Sequence, residues 1–283
     1  MNEERTIAHA LHWATEYLQA SSATPRLDAE VLLAHVLGWG RARLLSERQA
    51  LLDTEQYARF EQLVERRAWL EPVAYLVGHR EFYGRDFVVT PAVLVPRPET
   101  ELLVERALAW ARGRQGRPLT IADIGTGSGI IAVTLAAELP DAHVYATDLS
   151  TNALEVAARN AERHGVAAQV ALLRGDLLEP LPEPVDLLVS NPPYTVLAEI
   201  DENVRRHEPH MALDGGPDGL AMYRRLLAAA PAHLASGGAL MLEIGATQGA
   251  AVAALARQHF PGATVTVRQD LAGWDRVVEI VTS

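Results

Sequence analysis

Apolar residues recur every three to four positions over residues 1–70, the spacing of helices that each bury one face. Ile7, Leu11, Ala14 and Leu18 form the first stripe, and Ser21-Ser22-Ala23-Thr24-Pro25 interrupts it. A second helix is predicted over 28–37, closed by Gly38 and Gly40, and another over 53–70 with Phe60, Leu63 and Trp69 on its apolar side. No alternating pattern occurs in this part, so a small helical bundle is expected.

The pattern changes after Glu71-Pro72. Residues 81–90 place Phe82, Tyr83, Phe87, Val88 and Val89 around Gly84, which predicts a hairpin or two short strands. Pro91, Pro96 and Pro98 follow and mark a join. From Glu99 onward, buried strands are predicted at 120–124, 143–147, 169–173 and 185–190, the first three separated by helices. A helix near 220–234, a strand at 239–244, a helix at 249–259 and strands at 264–268 and 276–281 complete the series. Alternating strands and helices imply an α/β fold, a largely parallel sheet with helices on both faces. Three parts are therefore expected: helices over 1–75, a linker with the hairpin over 76–98, and the sheet domain over 99–283.

Composition narrows the chemistry. The 283 residues include no cysteine, which removes thiol nucleophiles, disulfides and thiolate zinc sites. All 25 basic residues are arginines, so a Walker lysine and a Schiff-base lysine are excluded. The net charge of −11 lacks the basic surface that nucleic-acid binders present. Arg66-Arg67, Arg205-Arg206 and Arg224-Arg225 are isolated pairs, not a phosphate track. A protein or small-molecule partner is expected, with no direct nucleic-acid binding. No apolar run reaches the ~18–20 residues that span a bilayer. The polar, acidic stretch from Met1 to Arg5 is unlike a leader, so the expected location is cytoplasmic.

Two motifs carry the candidate chemistry. Asp123-Ile124-Gly125-Thr126-Gly127-Ser128-Gly129 ends the first buried strand and opens a helix. Glycines there allow a tight turn and close approach of a ligand to backbone. Asp148 ends the next strand, where an acid can accept both hydroxyls of an adenosine ribose, and Asp176 follows the strand after that. Ile130 stands where a dinucleotide fingerprint has its third glycine, so the loop reads G-x-G-x-G. The second motif, Asn191-Pro192-Pro193-Tyr194, follows a buried strand. Two prolines stiffen it and present carbonyls beside one side-chain amide. The Asn191 side-chain oxygen and the Pro192 carbonyl can accept both hydrogens of a substrate –NH2, turning its lone pair toward an electrophile. Tyr194 can cover the flat group and exclude water. Most of the rate then comes from alignment.

Together the loop 125–129, Asp148 and 191–194 resemble the class I amino-methyltransferases, which act on adenine in DNA, guanine in RNA or glutamine in protein. Residues 72–78, Glu81-Phe82-Tyr83-Gly84, 95–101, Glu208-Pro209, 212–216, 218–220, Glu243-Ile244-Gly245 and 272–276 resemble, more narrowly, the peptide chain release factor glutamine methyltransferases. The resemblance covers nearly the whole chain. It implies S-adenosylmethionine as cofactor and S-adenosylhomocysteine as product, with no metal. It implies cofactor contacts at Gly125, Thr126, Gly127, Ser128, Gly129, Asp148, Asp176, Leu177 and Asn191. It also implies substrate contacts at Arg97, Glu99 and 191–194, and a substrate in the glutamine of the Gly-Gly-Gln motif of bacterial class-1 release factors. Residues 1–75 are then expected to recognise that partner. A ribosomal-protein glutamine methyltransferase is the close alternative, and a nucleic-acid amino-methyltransferase the more distant one.

Other residues read more simply. His9/His12 and His207/His210 are spaced for a metal, but structural or surface roles fit them better. Glu99 and Glu101 suit a helix start at least as well as catalysis. Trp13, Trp39, Trp69 and Trp110 are expected in cores.

Overall fold

Thr6 opens helix α1 (Ile7–Tyr17) by accepting a hydrogen bond from the His9 N–H, and the stripe Ile7, Ala10, Leu11 and Ala14 is buried. Helix α2 (Pro25–Leu37) starts on a proline and stops at Gly38, whose φ is 65°. Helix α4 (Thr54–Ala68) begins from a capping box between Asp53 and Gln56. Two short helices, α3 (Arg41–Ser46) and α5 (Val73–Val77), complete the set. They went unpredicted because five or six residues cannot display an apolar period. Leu11, Leu32, Leu33, Leu44, Phe60 and Val64 form the core of this part. Trp13 and Trp39 pack against it. Trp69 does not: α4 ends at Ala68, Trp69 falls at its C-cap, and the residue is 73% exposed. That corrects the expected core position and the length of the helix.

The computed structural model describes residues 5–114 and 118–283. Residues 1–4, most of the stretch on which the leader expectation rests, lie outside the described residues. The chain divides into two units, Met1–His79 and Arg80–Ser283.

The hairpin is β1 (His79–Phe82) and β2 (Arg85–Val88). Tyr83 and Gly84 between them have φ of 51° and 70°, as a two-residue type I′ turn requires. Helix α6 (Thr100–Arg112) leads into the sheet. The sheet strands are β3 (Thr120–Ile124), β4 (His143–Asp148), β5 (Val170–Arg174), β6 (Val185–Ser190), β7 (Leu234–Glu243), β8 (Thr264–Gln269) and β9 (Asp275–Val281), in the order β5-β4-β3-β6-β7-β9-β8. All neighbours pair in parallel except at β9, which runs antiparallel to β7 and β8.

Side chains alternate across this sheet with period two. Ile121, Leu187, Val189, Ala239 and Met241 pack with α6, α7 (Ile130–Glu138) and α8 (Thr151–Arg163). Trp110 of α6 packs on the same cluster. Ala122, Ile124, Leu188, Leu240 and Leu242 pack with α10 (Ala221–Ala229) and α11 (Gly249–His259) on the other face. A short helix α9 (Glu202–His207) lies between β6 and α10.

The region after α10 departs from expectation. The predicted helix near 220–234 stops at Ala229, and a 3-10 turn, Ala230–Ala232, follows. Pro231 lacks the N–H that a continuing helix needs. Strand β7 starts at Leu234 instead of 239, because Val185 pairs with Leu234 while Leu187 pairs with Ala239. The excess residues bulge out. Gly238 fits there because a Cβ would stand 2.8 Å from both Ala235 O and Asp186 O. Among the described residues, no helix is long and apolar enough to cross a membrane.

Candidate functional site

Strand order reverses at β3, which has β4 on one side and β6 on the other. Such a switch point leaves a crevice beyond the carboxyl ends of the strands. Register sets what stands there. Ile124 pairs with both Thr147 and Ser190, so Gly125, Asp148 and Asn191 leave the sheet at one level. A cleft of about 410 Å³ opens above them. Arg97, Gly125, Thr126, Gly127, Ser128, Asp148, Asp176, Leu177, Asn191, Pro192 and Pro193 all line it. A second cleft of about 310 Å³ is lined by Tyr194, Thr195, Glu199, Asp201 and Val204. Arg97, Asn191 and Pro192 line both. Glu99 lines neither and is the N-cap residue of α6.

The glycine loop leaves open space on one side and packs closely on the other. Gly125, Gly127 and Gly129 have φ of 74°, 56° and 81°, in the left-handed region. A Cβ on Gly125 or Gly127 would meet no protein atom within 4 Å. A Cβ on Gly129 would meet Ala157 Cβ at 3.1 Å, so this glycine serves the packing of α7 on α8. The Gly125 and Thr126 N–H groups donate to Thr147 O at 2.9 and 2.8 Å. Asp148 receives the Gly127 N–H on Oδ2 at 2.9 Å and the Ser150 N–H on Oδ1 at 2.8 Å. Each carboxylate oxygen retains a further lone pair for a ligand.

Two residues outside the expected set hold this loop. Asp123 is fully buried, accepts from the Thr126 hydroxyl at 2.6 Å and the Ala132 N–H at 3.1 Å, and is pushed by burial up to about 7. Asn160 of α8 donates to Ser128 O at 2.8 Å and exchanges two hydrogen bonds with the Val88 backbone. It thus ties the second strand of the hairpin to the loop. A sequence signal for it existed: an asparagine in the buried stripe Ala153, Val156, Ala157, Ala161.

On the far wall, Asp176 Oδ2 accepts from Arg225 of α10 at 2.6 Å. Leu177 has φ of 50°, and its carbonyl accepts from the Thr147 hydroxyl at 3.0 Å. Arg97 pairs with Glu208 at 2.6 Å, and Glu208 also accepts from the Val95 N–H at 3.1 Å. That carboxylate is nearly wholly buried and anchors the proline-rich segment to the end of α9. Glu101, in the first turn of α6, accepts from the Tyr83 N–H at 2.9 Å, which is the helix-start role.

The tetrapeptide is pinned from several directions. Ser190 donates to Ile124 O at 2.7 Å. The Tyr194 carbonyl accepts from Gln248 at 3.0 Å. A Cβ on Gly215 would stand 2.7 Å from Tyr194 Cα, and one on Gly219 would stand 2.5 Å from Tyr194 O. The glycine-rich stretch 215–219 is therefore what lets the chain close behind Tyr194. Burial pushes the Tyr194 phenol up, keeping it a neutral donor, and it reaches toward Glu243 at 3.5 Å. The Asn191 amide nitrogen lies 3.2 Å from the Thr100 hydroxyl.

His210 Nε2 lies 2.7 Å from Arg205 O, a local contact. Among the described residues no three His, Cys, Asp or Glu side chains come together as a metal site.

Residues 9–78 match the family model of the PrmC N-terminal domain, and residues 99–208 that of the methyltransferase small domain. The chain is 49% identical to the release factor glutamine methyltransferase of Moorella thermoacetica, over 96% of each chain. It is 42% identical to that of Bacillus subtilis, over 97% of each. Among solved structures it is similar to a methyltransferase from Pyrococcus furiosus, with TM-score 0.53 and 20% identity over 77% of this chain and 97% of that one. A 16S rRNA N2 G1207 methyltransferase of T. thermophilus, solved with AdoMet and guanosine, gives TM-score 0.52 and 18% identity over 72% of this chain and 50% of that one. At such identities the structures show the fold alone, and that fold is the class I methyltransferase sheet.

Proposed function

Because the chain belongs to the release factor glutamine methyltransferase family, we propose that it methylates the side-chain amide nitrogen of the glutamine in the Gly-Gly-Gln motif of bacterial class-1 release factors, with S-adenosylmethionine as donor. The observation that carries this reading is the position of Asn191 and Pro192 on the shared wall of two clefts. One cleft suits a nucleoside cofactor, and the other admits a side-chain amide.

The residues present fit the cofactor. Gly125 and Gly127 leave open the space that a Cβ would fill, and Asp148 stands at the carboxyl end of the neighbouring strand to take ribose hydroxyls. Asp176 and Leu177 border the cleft where the base would lie. When bound, S-adenosylmethionine supplies an electrophilic methyl group on a sulfonium.

The protein's part is orientation. An amide nitrogen is a weak nucleophile because its lone pair is delocalised into the carbonyl. Asn191 Oδ1 and the Pro192 carbonyl accept its two hydrogens and rotate the lone pair out of conjugation, toward the first cleft. Tyr194 excludes water from the flat amide. With the donor bound, its methyl would pass from sulfur to this nitrogen as the C–N bond formed, and the nitrogen would then give one proton to solvent. No strong base is required, because an N-protonated amide is very acidic. Fixed alignment supplies most of the rate. Residues 1–75 are assigned recognition of the rest of the release factor, a role supported by the match of residues 9–78 to the PrmC N-terminal domain.

The test is transfer of labelled methyl from S-adenosylmethionine to purified release factor, ribosomal proteins and RNA, offered separately. Label on the release factor supports the assignment. Label on a ribosomal protein or RNA, with the release factor unmodified, overturns the substrate and keeps the chemistry.

A further inference from the structure

Two stretches of chain that line the first cleft are joined by a side chain that lines no part of it. Asn160, on α8, is fully buried. Its Nδ2 donates to Ser128 O at 2.8 Å and to Val88 O at 2.9 Å, and its Oδ1 accepts the Val88 N–H at 2.8 Å. A side-chain amide has two hydrogens on nitrogen and an oxygen that only accepts. Two carbonyls and one N–H around it therefore permit a single orientation. Flipped end for end, its oxygen would face both carbonyls and its NH2 would face a donor.

The two partners belong to different walls. Ser128 is part of the glycine loop and lines the cleft. Val88 ends β2 and begins the stretch 88–97. Along that stretch Val89 is buried, the Val93 N–H closes a turn on Thr90 O at 3.1 Å, and Val93, Leu94, Pro96 and Arg97 line the same cleft. Glu208 holds the far end of the stretch through the Val95 N–H and Arg97. Asn160 holds the near end. The rest of β2 also lies on α8: the Phe87 ring is 4.7 Å from that of His164, centroid to centroid, and Asp86 pairs with Arg163. None of residues 85–88 lines the cleft.

We propose that Asn160 is a positioning residue for the cofactor: it fixes the glycine loop against the start of the stretch 88–97, so that binding in the cleft and docking of the hairpin on α8 are energetically linked. The proposal rests on the reading of that cleft as the S-adenosylmethionine site. The link comes from the cost of leaving buried polar groups unpaired. If the loop moves away from the hairpin, Asn160 loses either the Ser128 carbonyl or both groups of Val88. A ligand that holds the loop in place therefore favours the docked hairpin. A docked hairpin in turn pre-forms the loop for the ligand, and the two effects are equal in size. Residues 191–194 follow β6, and among the described residues none of them shares a hydrogen bond with Asn160. The link thus acts on cofactor binding and leaves the chemical step alone.

Amide hydrogen exchange reads the link without any protein substrate. Saturating S-adenosylhomocysteine should slow exchange at residues 85–88 by about tenfold in the wild-type protein, the scale of an ordinary coupling between sites. In Asn160→Ala, at equal saturation, the slowing should fall below about twofold. Asn160→Ala should also bind S-adenosylhomocysteine about tenfold more weakly and raise the KM for S-adenosylmethionine, with kcat within about twofold of wild type. A general loss of folded protein would lower kcat instead. In the reverse direction, Phe87→Leu loosens the hairpin from outside the cleft. It should weaken S-adenosylhomocysteine binding about threefold in the wild-type background and no further in Asn160→Ala. Equal slowing in wild type and Asn160→Ala, a wild-type KM in Asn160→Ala, or additive losses in the double variant would overturn the proposal. Tight binding to the wild-type protein with no change at 85–88 overturns the link alone, whereas no binding at all overturns the cofactor reading. Should Asn160→Ala fail to fold, the wild-type exchange and Phe87→Leu decide: slowed exchange with weakened binding supports the link, and unslowed exchange or undiminished affinity overturns it.

Discussion

Replacing Gly129 and Gly127 separately by alanine should give opposite patterns of damage, although both glycines sit in one loop and both have positive φ. The strain of an alanine in the left-handed region is about 1–2 kcal/mol at either site. At Gly129 the added Cβ meets Ala157 Cβ at 3.1 Å and Ala157 Cα at 3.2 Å. One of those is backbone in the middle of α8, so it cannot swing aside. Overpacking of this kind costs a further ~1–3 kcal/mol, and Gly129→Ala should destabilise the protein by roughly 2–5 kcal/mol in all. At Gly127 the Cβ meets nothing within 4 Å, so Gly127→Ala should lose only the strain, about 1–2 kcal/mol. Gly127 lines the cleft assigned to cofactor, so affinity should fall by about tenfold, roughly 1.4 kcal/mol. Urea unfolding gives the first quantity and titration calorimetry with S-adenosylhomocysteine the second. Equal destabilisation by the two variants, or undiminished cofactor affinity in Gly127→Ala, would refute the assignment of open space to ligand and closed space to packing.

Further outcomes follow from the same geometry. Asp148→Ala should weaken cofactor binding by about 10–100-fold, because a charged acceptor is lost; unchanged calorimetric affinity would remove Asp148 from the site. Asp123 and Glu243 are each pushed by burial up to about 7 from ordinary values of 3.8 and 4.5. The folded state therefore binds their protons more tightly than the unfolded chain, and stability falls as pH rises toward and through 7. Each acid should contribute a loss of about 1 kcal/mol between pH 6 and pH 8. Asp123→Asn should flatten that slope in urea unfolding, and an unchanged slope would show that the acid is ionised throughout. Glu208→Ala should strand Arg97 and release the Val95 N–H, lowering stability by about 1–3 kcal/mol; no change would mean the anchor is not under tension.

The elements that sequence displays well are those with many residues in one period. The parallel strands, the long helices α2, α4 and α11, and the hairpin around Gly84 all belong to that class. Strand order follows from alternation and a switch point, and that is why Gly125, Asp148 and Asn191 come to one level although 66 residues separate the first from the last. Short elements were illegible for lack of period, as at α3 and α5. The β7 bulge was hidden because Ser236-Gly237-Gly238 reads as a turn while forming part of a strand. Trp69 was misplaced because an apolar residue at a helix end carries no statement about which side it faces. In the site, Asn160 was missed because its role is set by distant partners. It acts through Ser128, 32 residues away in the chain, and Val88, 72 residues away. What sequence did offer was a polar residue in a buried apolar run, a signal that marks a satisfied polar group without naming its partner.

The most direct test of the central claim is tandem mass spectrometry of a class-1 release factor after incubation with S-adenosylmethionine and either wild-type protein or Asn191→Ala. The account predicts one added methyl, on the side-chain nitrogen of the glutamine that follows two glycines, with wild-type protein. It predicts none above background with Asn191→Ala, although that variant unfolds at the same urea concentration and binds cofactor with similar affinity. A methyl on any other residue, or undiminished methylation by Asn191→Ala, would contradict it.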